Sequence, residues 1–239
     1  MTLQCNSQQK IYRENILSVI SNTPLFKGLP DDQLEKIKEI AVKKDFKKGT
    51  LIFSEGDEGN GFYIVARGKV KIYKISMEGK EQILHIFGSG EPFGEVPVFS
   101  GGLFPANAYA IDKCSLIFFP RDAFITLISE NIPIVLNILS VLSMRLRQFT
   151  IQVENLSLKE VPGRLAGYLL LLAKEQQSKN IIQLSISKGQ LASLLGTIPE
   201  TLSRIFSKMN DRGLIEVEGR NIKVLDTGAL EKLAVHGKI

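Results

Sequence analysis

The chain has no tryptophan, and only two cysteines and two histidines among its 239 residues. Two thiols, Cys5 and Cys114, cannot build a disulfide framework. With only His85 and His236 beside them, no run has the spacing of a zinc finger, so no metal site is expected. A four-thiolate iron–sulfur cluster is excluded on the same ground. So few histidines leave little acid–base machinery. There is no Ser/His/Asp set and no Walker-type loop, so the sequence reads as a non-enzyme. Long apolar runs are missing too. Met1 to Lys10 is polar and lacks the apolar stretch of a signal peptide. Ile132 to Leu146 is broken by Asn137, Ser140, Ser143 and Arg145, which predicts no membrane span and no membrane partner. Scarce cysteine suits a reducing compartment, and the cytoplasm is the expected location.

What is present is an ordinary globular balance: 44% hydrophobic and 23% charged residues, with a formal net charge of +5. The length suggests one large or two ordinary domains, and the mild excess of base is compatible with a polyanionic partner. Glycines recur at 49, 56, 68, 79, 90 and 94. Between them lie short runs such as Gly61 to Val65, Lys69 to Tyr73 and Gln82 to Phe87. Lys69 to Tyr73 alternates polar and apolar, as a half-buried strand does. Short strands with glycine turns at near-even spacing predict an antiparallel roll or barrel. Before it, Asp31 to Val42 predicts a helix with Leu34, Ile37, Ile40 and Ala41 on one side.

Further along, Leu139, Leu142, Leu146, Phe149, Val153 and Leu156 fall at spacings of three and four, a heptad seam. A helix packed on its own domain and a coiled coil between two subunits both satisfy it; dimerisation is the expectation. A break follows near Val161-Pro162-Gly163, because proline disfavours a helical residue before it. Ile181 to Ile186 then reads as a strand.

Ser187 and Gln190 stand at capping-box spacing and open a helix through Leu195; Gly196 supplies a turn. Thr197-Ile198-Pro199-Glu200 opens a second helix to about Asp211, with Thr197 and Glu200 again at capping-box spacing. Leu191, Leu194, Leu195, Leu202, Ile205, Phe206 and Met209 are the expected core of the pair. The exposed side of the second helix then carries Thr201, Arg204 and Lys208, flanked by Glu200 and Ser203. Two helices joined by a glycine turn are the geometry that enters a major groove. An arginine can donate twice to guanine, and a glutamate can accept from cytosine. Gly213 to Val224 alternates as a hairpin, a wing with Arg220 at its tip. The candidate DNA-binding residues are therefore Thr197, Pro199, Glu200, Thr201, Ser203, Arg204, Lys208 and Arg220.

The ordering of roll, helix and hairpin resembles the CRP/FNR family of bacterial transcription regulators, over roughly Leu25 to Leu233. Phe53-Ser54-Glu55-Gly56-Asp57 and Phe62 to Val70 are similar to its roll signature, and Phe93-Gly94-Glu95 to the start of its phosphate-binding cassette. Glu200-Thr201-Leu202-Ser203-Arg204 is similar to the recognition helix of the FNR branch. The resemblance implies an α+β fold. Its parts would be a cyclic-nucleotide-binding-type β-roll (a double-stranded jelly roll) over 1–130, a dimerisation helix over 131–160 and a winged helix-turn-helix over 161–239. It also implies a homodimer on a palindromic operator of TTGA-type half-sites, controlled by a small effector in the roll, with RNA polymerase as a further partner.

The effector is left open. The resemblance places the pocket at Phe93, Gly94, Glu95, Val96, Pro105, Ala106 and Asn107. Cyclic-nucleotide binders of the family carry an arginine ten residues after the glutamate, followed by serine or threonine; here those positions are Pro105 and Ala106. Losing that charge-assisted pair costs about 1.5–3 kcal/mol. Arg67 and Lys113 are the cations available to compensate. Haem is the specific alternative cofactor, for a regulator sensing NO or CO, with His85 as candidate axial ligand against an ordinary strand histidine. A regulatory roll without DNA binding is the alternative of another class.

Overall fold

The computed structural model describes residues 16–178 and 181–237. Its contacts divide the chain into two compact units. The first takes the described residues up to Arg145 apart from Glu81–Ile83; the second takes those three and everything from Leu146 on.

The first unit is a roll of two four-stranded antiparallel sheets, ordered β1-β8-β3-β6 and β2-β7-β4-β5. The strands are β1 (Val42–Phe46), β2 (Leu51–Phe53), β3 (Gly61–Arg67), β4 (Val70–Ile75), β5 (Glu81–Phe87), β6 (Pro92–Phe93), β7 (Asn107–Ala110) and β8 (Cys114–Pro120). Helix α1 over residues 16–22 and helix α2 (Asp31–Glu39) precede the roll. Helix α3 (Val96–Ser100) interrupts it, and α4 (Arg121–Ser129) follows it. The helix expected over Asp31 to Val42 stops early. Val42 starts β1 instead, paired residue by residue with β8 from Val42↔Phe118 to Phe46↔Cys114.

Strand alternation sorts the core into two layers. Tyr63, Val65 and Leu116 point into the roll, where they meet Phe53, Phe93 and Phe104. Their neighbours Phe62, Ile64, Ile117 and Phe119 point outward and are covered by Phe26, Phe124, Ile134 and Ile138. The outward layer is aromatic: Phe62 and Phe119 stack at 5.0 Å, and Phe124 meets Phe62 edge-on at 4.6 Å.

Helix α5 (Ile132–Leu158) runs through the seam. At 27 residues it is long and apolar enough, by length and composition, to cross a bilayer, which the interrupted run read from sequence did not anticipate. Its early turns instead bury Ile134 and Ile138 against the roll's outer core, and Arg145 lies mid-helix on Glu95.

The second unit contains α6 (Val161–Glu175), α7 (Lys188–Leu194), α8 (Pro199–Asp211), α9 (Thr227–His236) and a sheet ordered β10-β11-β9. Its strands are β9 (Ile181–Gln183), β10 (Ile215–Glu218) and β11 (Asn221–Val224). The break before α6 falls at Lys159 and Glu160, and Pro162 sits in the first turn of α6, where its missing N–H costs nothing. Arg164 closes the end of α5: its Nη1 donates to the carbonyls of Lys159 at 2.7 Å and Leu156 at 3.4 Å.

Candidate nucleic-acid interface and effector cassette

The Ser187 capping box forms. Ser187 Oγ accepts from the Gln190 N–H at 3.1 Å, and Gln190 Oε1 accepts from the Ser187 N–H at 2.9 Å. Gly196 makes the turn at φ 66°, and a Cβ there would lie 2.9 Å from Leu156 Cδ2. The second capping box does not form. Ile198, not Thr197, takes the N-cap of α8, with no side-chain hydrogen bond, and Pro199 occupies the first turn. Thr197 is half-buried and its N–H donates to the Ala192 carbonyl at 2.9 Å.

Helix α8 is two-faced. Leu202, Ile205, Phe206 and Met209 are buried. Glu200, Ser203, Arg204 and Lys208 are exposed on the other side; Thr201 is half-buried. Residues three and four apart are neighbours on a helix, so these polar groups form one surface. Arg204 Nη2 donates to Thr201 Oγ1 at 3.2 Å, which steadies the guanidinium on that surface. Ser207, exposed on the same face, was missed by the sequence reading although its spacing from Ser203 and Arg204 gives it away. Lys188, whose ammonium lies 5.4 Å from the Phe206 ring centre, was also missed. The wing forms as expected. Its turn is at Gly219 (φ 62°), and Arg220 is exposed beside it.

Along the seam, Leu139, Leu146, Phe149 and Val153 are exposed. Leu142 instead packs partly on the roll's outer core. Leu156 is only 36% exposed and lies against the Gly196 turn.

In the cassette, Gly94 adopts φ 75°, and a Cβ there would stand 3.3 Å from the rings of both Phe53 and Phe104. These two rings stack 3.7 Å apart and nearly parallel, at 7°. Phe93 is fully buried among them, whereas Val96 is exposed. Glu95 is already engaged: Arg145 of α5 donates Nη1 to its carboxylate and Nη2 to the Pro92 carbonyl. The two side chains are 17% and 15% exposed. The same guanidinium lies 4.9 Å from the Phe87 ring centre. The cavity left beneath it, lined by Leu142, Phe62 and Phe99 among others, holds about 10 Å³, room for about one water.

Pro105 is exposed and Ala106 buried. A cation does stand beside them: Lys74, on β4, donates to the Pro105 carbonyl at 3.0 Å and to the Glu55 carboxylate. Arg67 and Lys113, the other cations available to compensate, line a different cavity on the roll's outer face. Asn107 supports backbone, with Oδ1 accepting from the Glu55 N–H at 3.0 Å. In this arrangement the Phe53–Phe104 stack lies against Gly94, Glu95 is engaged by Arg145, and Pro105 and Ala106 bring no anion-binding side chain, so the donor set differs from that of a cyclic-nucleotide cassette.

His85 sits as a strand histidine on β5. Its Nε2 lies 3.8 Å from Glu91 Oε1, its ring leans on Phe87 at 4.4 Å, and neither cavity named here is lined by it. Burial pushes the Glu91 carboxyl up. The nearby His85 ring, the Gly88 N–H donating at 2.6 Å and the Arg145 charge outweigh that and hold it below its ordinary value.

A β-roll with a glycine-turn cassette, joined through a long helix to a winged helix-turn-helix with a polar recognition face, is the build of a DNA-binding transcription regulator. Comparison with known proteins agrees. The cyclic nucleotide-binding domain family matches residues 43–131, and the Crp-like helix-turn-helix domain family matches residues 163–233. The chain is 31% identical over 216 residues to the cyclic AMP receptor protein of Thermus thermophilus, spanning 90% of this chain and 98% of that one. It is 27% identical over 209 residues to the fumarate and nitrate reduction regulatory protein of Escherichia coli K12, covering 86% and 82% of the two chains. Among solved structures, the c-di-GMP responsive global regulator CLP of Xanthomonas campestris is similar, with TM-score 0.73, 26% identity and 83% and 100% coverage. The chain belongs to the CRP/FNR family, whose members regulate transcription and are not enzymes.

Proposed function

We propose that two copies of this chain pair along the exposed side of α5 and set their α8 helices into successive major grooves of a two-fold symmetric operator. The observation that carries this reading is the division of α8 into a buried apolar face and an exposed face bearing Glu200, Ser203, Arg204 and Lys208. Arg204 donates to guanine, Glu200 accepts from cytosine, and Ser203 adds a short polar contact; a TTGA-type half-site suits this set. Thr197, Pro199, Thr201, Lys208 and Arg220 meet the backbone or flank the base contacts. Leu139, Leu146, Phe149 and Val153 form the pairing surface, extended at its start by exposed Ile132 and Leu136. A DNA reader of this kind works in the cytoplasm and acts by recruiting or excluding RNA polymerase.

The roll is the controlling half. The relatives' names cite cyclic AMP in several cases, c-di-GMP in another and no nucleotide in others, so kinship does not choose an effector. An effector entering at Phe93 to Val96 has to part the Phe53–Phe104 stack or displace Arg145 from Glu95, which couples entry to the position of α5. Selection of bound duplexes from a random pool tests the reading. It should return a two-fold symmetric site with a guanine in each half, bound less tightly as salt rises. A pool that stays random would refute it.

A further inference from the structure

On the roll's outer face lies a cavity of about 660 Å³. It is on the opposite side of the β1-β8-β3 sheet from the cassette, because Ser115 and Ile117 alternate with Leu116, which faces the roll's interior. Its size falls within the range of about 300–1,000 Å³ typical of small-molecule sites. The floor is apolar: Ile16 and Val19 of α1, with Ala66 and Ile117 of the sheet. The polar groups gather on one side, where the register puts Asp45 opposite Ser115 and Ser115 opposite Arg67, a row across three strands. Lys43 and Lys113 complete that side, giving three cations to one carboxylate.

The carboxylate is already occupied. Lys43 Nζ lies 3.1 Å from Asp45 Oδ2, and the Ser115 hydroxyl also hydrogen-bonds Asp45. Among the described residues the Arg67 guanidinium makes no hydrogen bond or ion pair, and the Lys113 ammonium has only a longer-range attraction to Asp45. Two cations thus stand uncommitted beside an apolar floor. A guanidinium offers paired donors to a carboxylate or phosphate, and an ammonium adds a second charge.

We propose that this cavity binds a small amphipathic anion, with its carboxylate or phosphate head on Arg67 and Lys113 and its apolar body against Ile16, Val19, Ala66 and Ile117. The site goes beyond the DNA-reading role and does not depend on it.

Titration calorimetry on the full chain tests this, using decanoate, decyl phosphate, decanol and inorganic phosphate, each below any micelle-forming concentration. At least one of the two long-chain anions should bind with a Kd of about 100 µM or tighter. Decanol and inorganic phosphate, each lacking half of the recognised chemistry, should bind at least tenfold more weakly. Whichever anion binds more tightly identifies the head group. The R67Q/K113Q double variant should weaken that anion at least tenfold while its thermal midpoint stays unchanged; K113Q alone should weaken it about threefold. The proposal is overturned if neither anion binds, if decanol binds as tightly as the anions, or if the double variant binds as the parent does.

Discussion

Replacing Arg145 with methionine keeps most of the side chain's bulk and removes its charge. The Glu95 carboxylate, 15% exposed, then loses its partner, and the Pro92 carbonyl loses a donor. Breaking a buried pair from one side costs about 3–5 kcal/mol. This pair keeps some contact with water, which brings the figure to about 2–3 kcal/mol. The cation–π contact over Phe87, about 0.5–1 kcal/mol, is largely replaced by the methionine sulfur on the same ring. Urea unfolding followed by circular dichroism reads the loss. With a slope of about 3 kcal/mol per molar urea, the roll's midpoint should fall by about 0.7–1 M. The E95Q/R145M double variant removes both charges and should recover part of this, a coupling of about 1–3 kcal/mol. A midpoint in R145M within about 0.1 M of the parent, or a double variant as unstable as the two singles summed, would refute the assignment of this pair.

Three other outcomes are expected. Ser187→Ala removes the capping box and should lower the stability of the second unit by about 1 kcal/mol, whereas Ser187→Asp keeps a cap; thermal melts of both variants decide. Leu146→Glu with Val153→Glu puts charge on the proposed pairing surface; if the parent is a dimer in sedimentation velocity, this variant should be a monomer, and a persisting dimer would show that pairing lies elsewhere. Glu91 is depressed in the folded state, so it stabilises the fold above its unfolded value, about 4.3, and that contribution fades as pH falls through the lower folded value. The stability gap between the parent and Glu91→Gln should therefore shrink from pH 7 toward pH 3; a gap constant with pH would contradict the assignment.

Local patterns were legible in the sequence. The Ser187 capping box, the Gly196 turn, the apolar face of α8 and the Gly219 wing each depend on residues a few positions apart, and all are found. Where local pattern competes with backbone geometry it misled. Thr197 and Glu200 have capping spacing, but Pro199 starts the helix one residue later than that box requires, and Ile198 becomes the cap. Strand β1 was hidden because Lys43 and Lys44 break its alternation; it exists through pairing with β8, some seventy residues away. The Arg145–Glu95 pair spans fifty residues and leaves no spacing signal. Leu142 fits the heptad by count yet packs on its own roll, because one helix serves two surfaces. The missing cassette arginine was visible at Pro105, but the aromatic stack against Gly94 could be seen only in three dimensions.

The claim at the centre is that Arg204 reads a guanine. Fluorescence anisotropy with the parent and Arg204→Ala, each on the selected operator and on one carrying adenine at that guanine, tests it by a four-way cycle. The base change should cost the parent about 1–3 kcal/mol and leave Arg204→Ala nearly indifferent. If both proteins lose the same affinity on the altered duplex, Arg204 does not contact that base and the account fails.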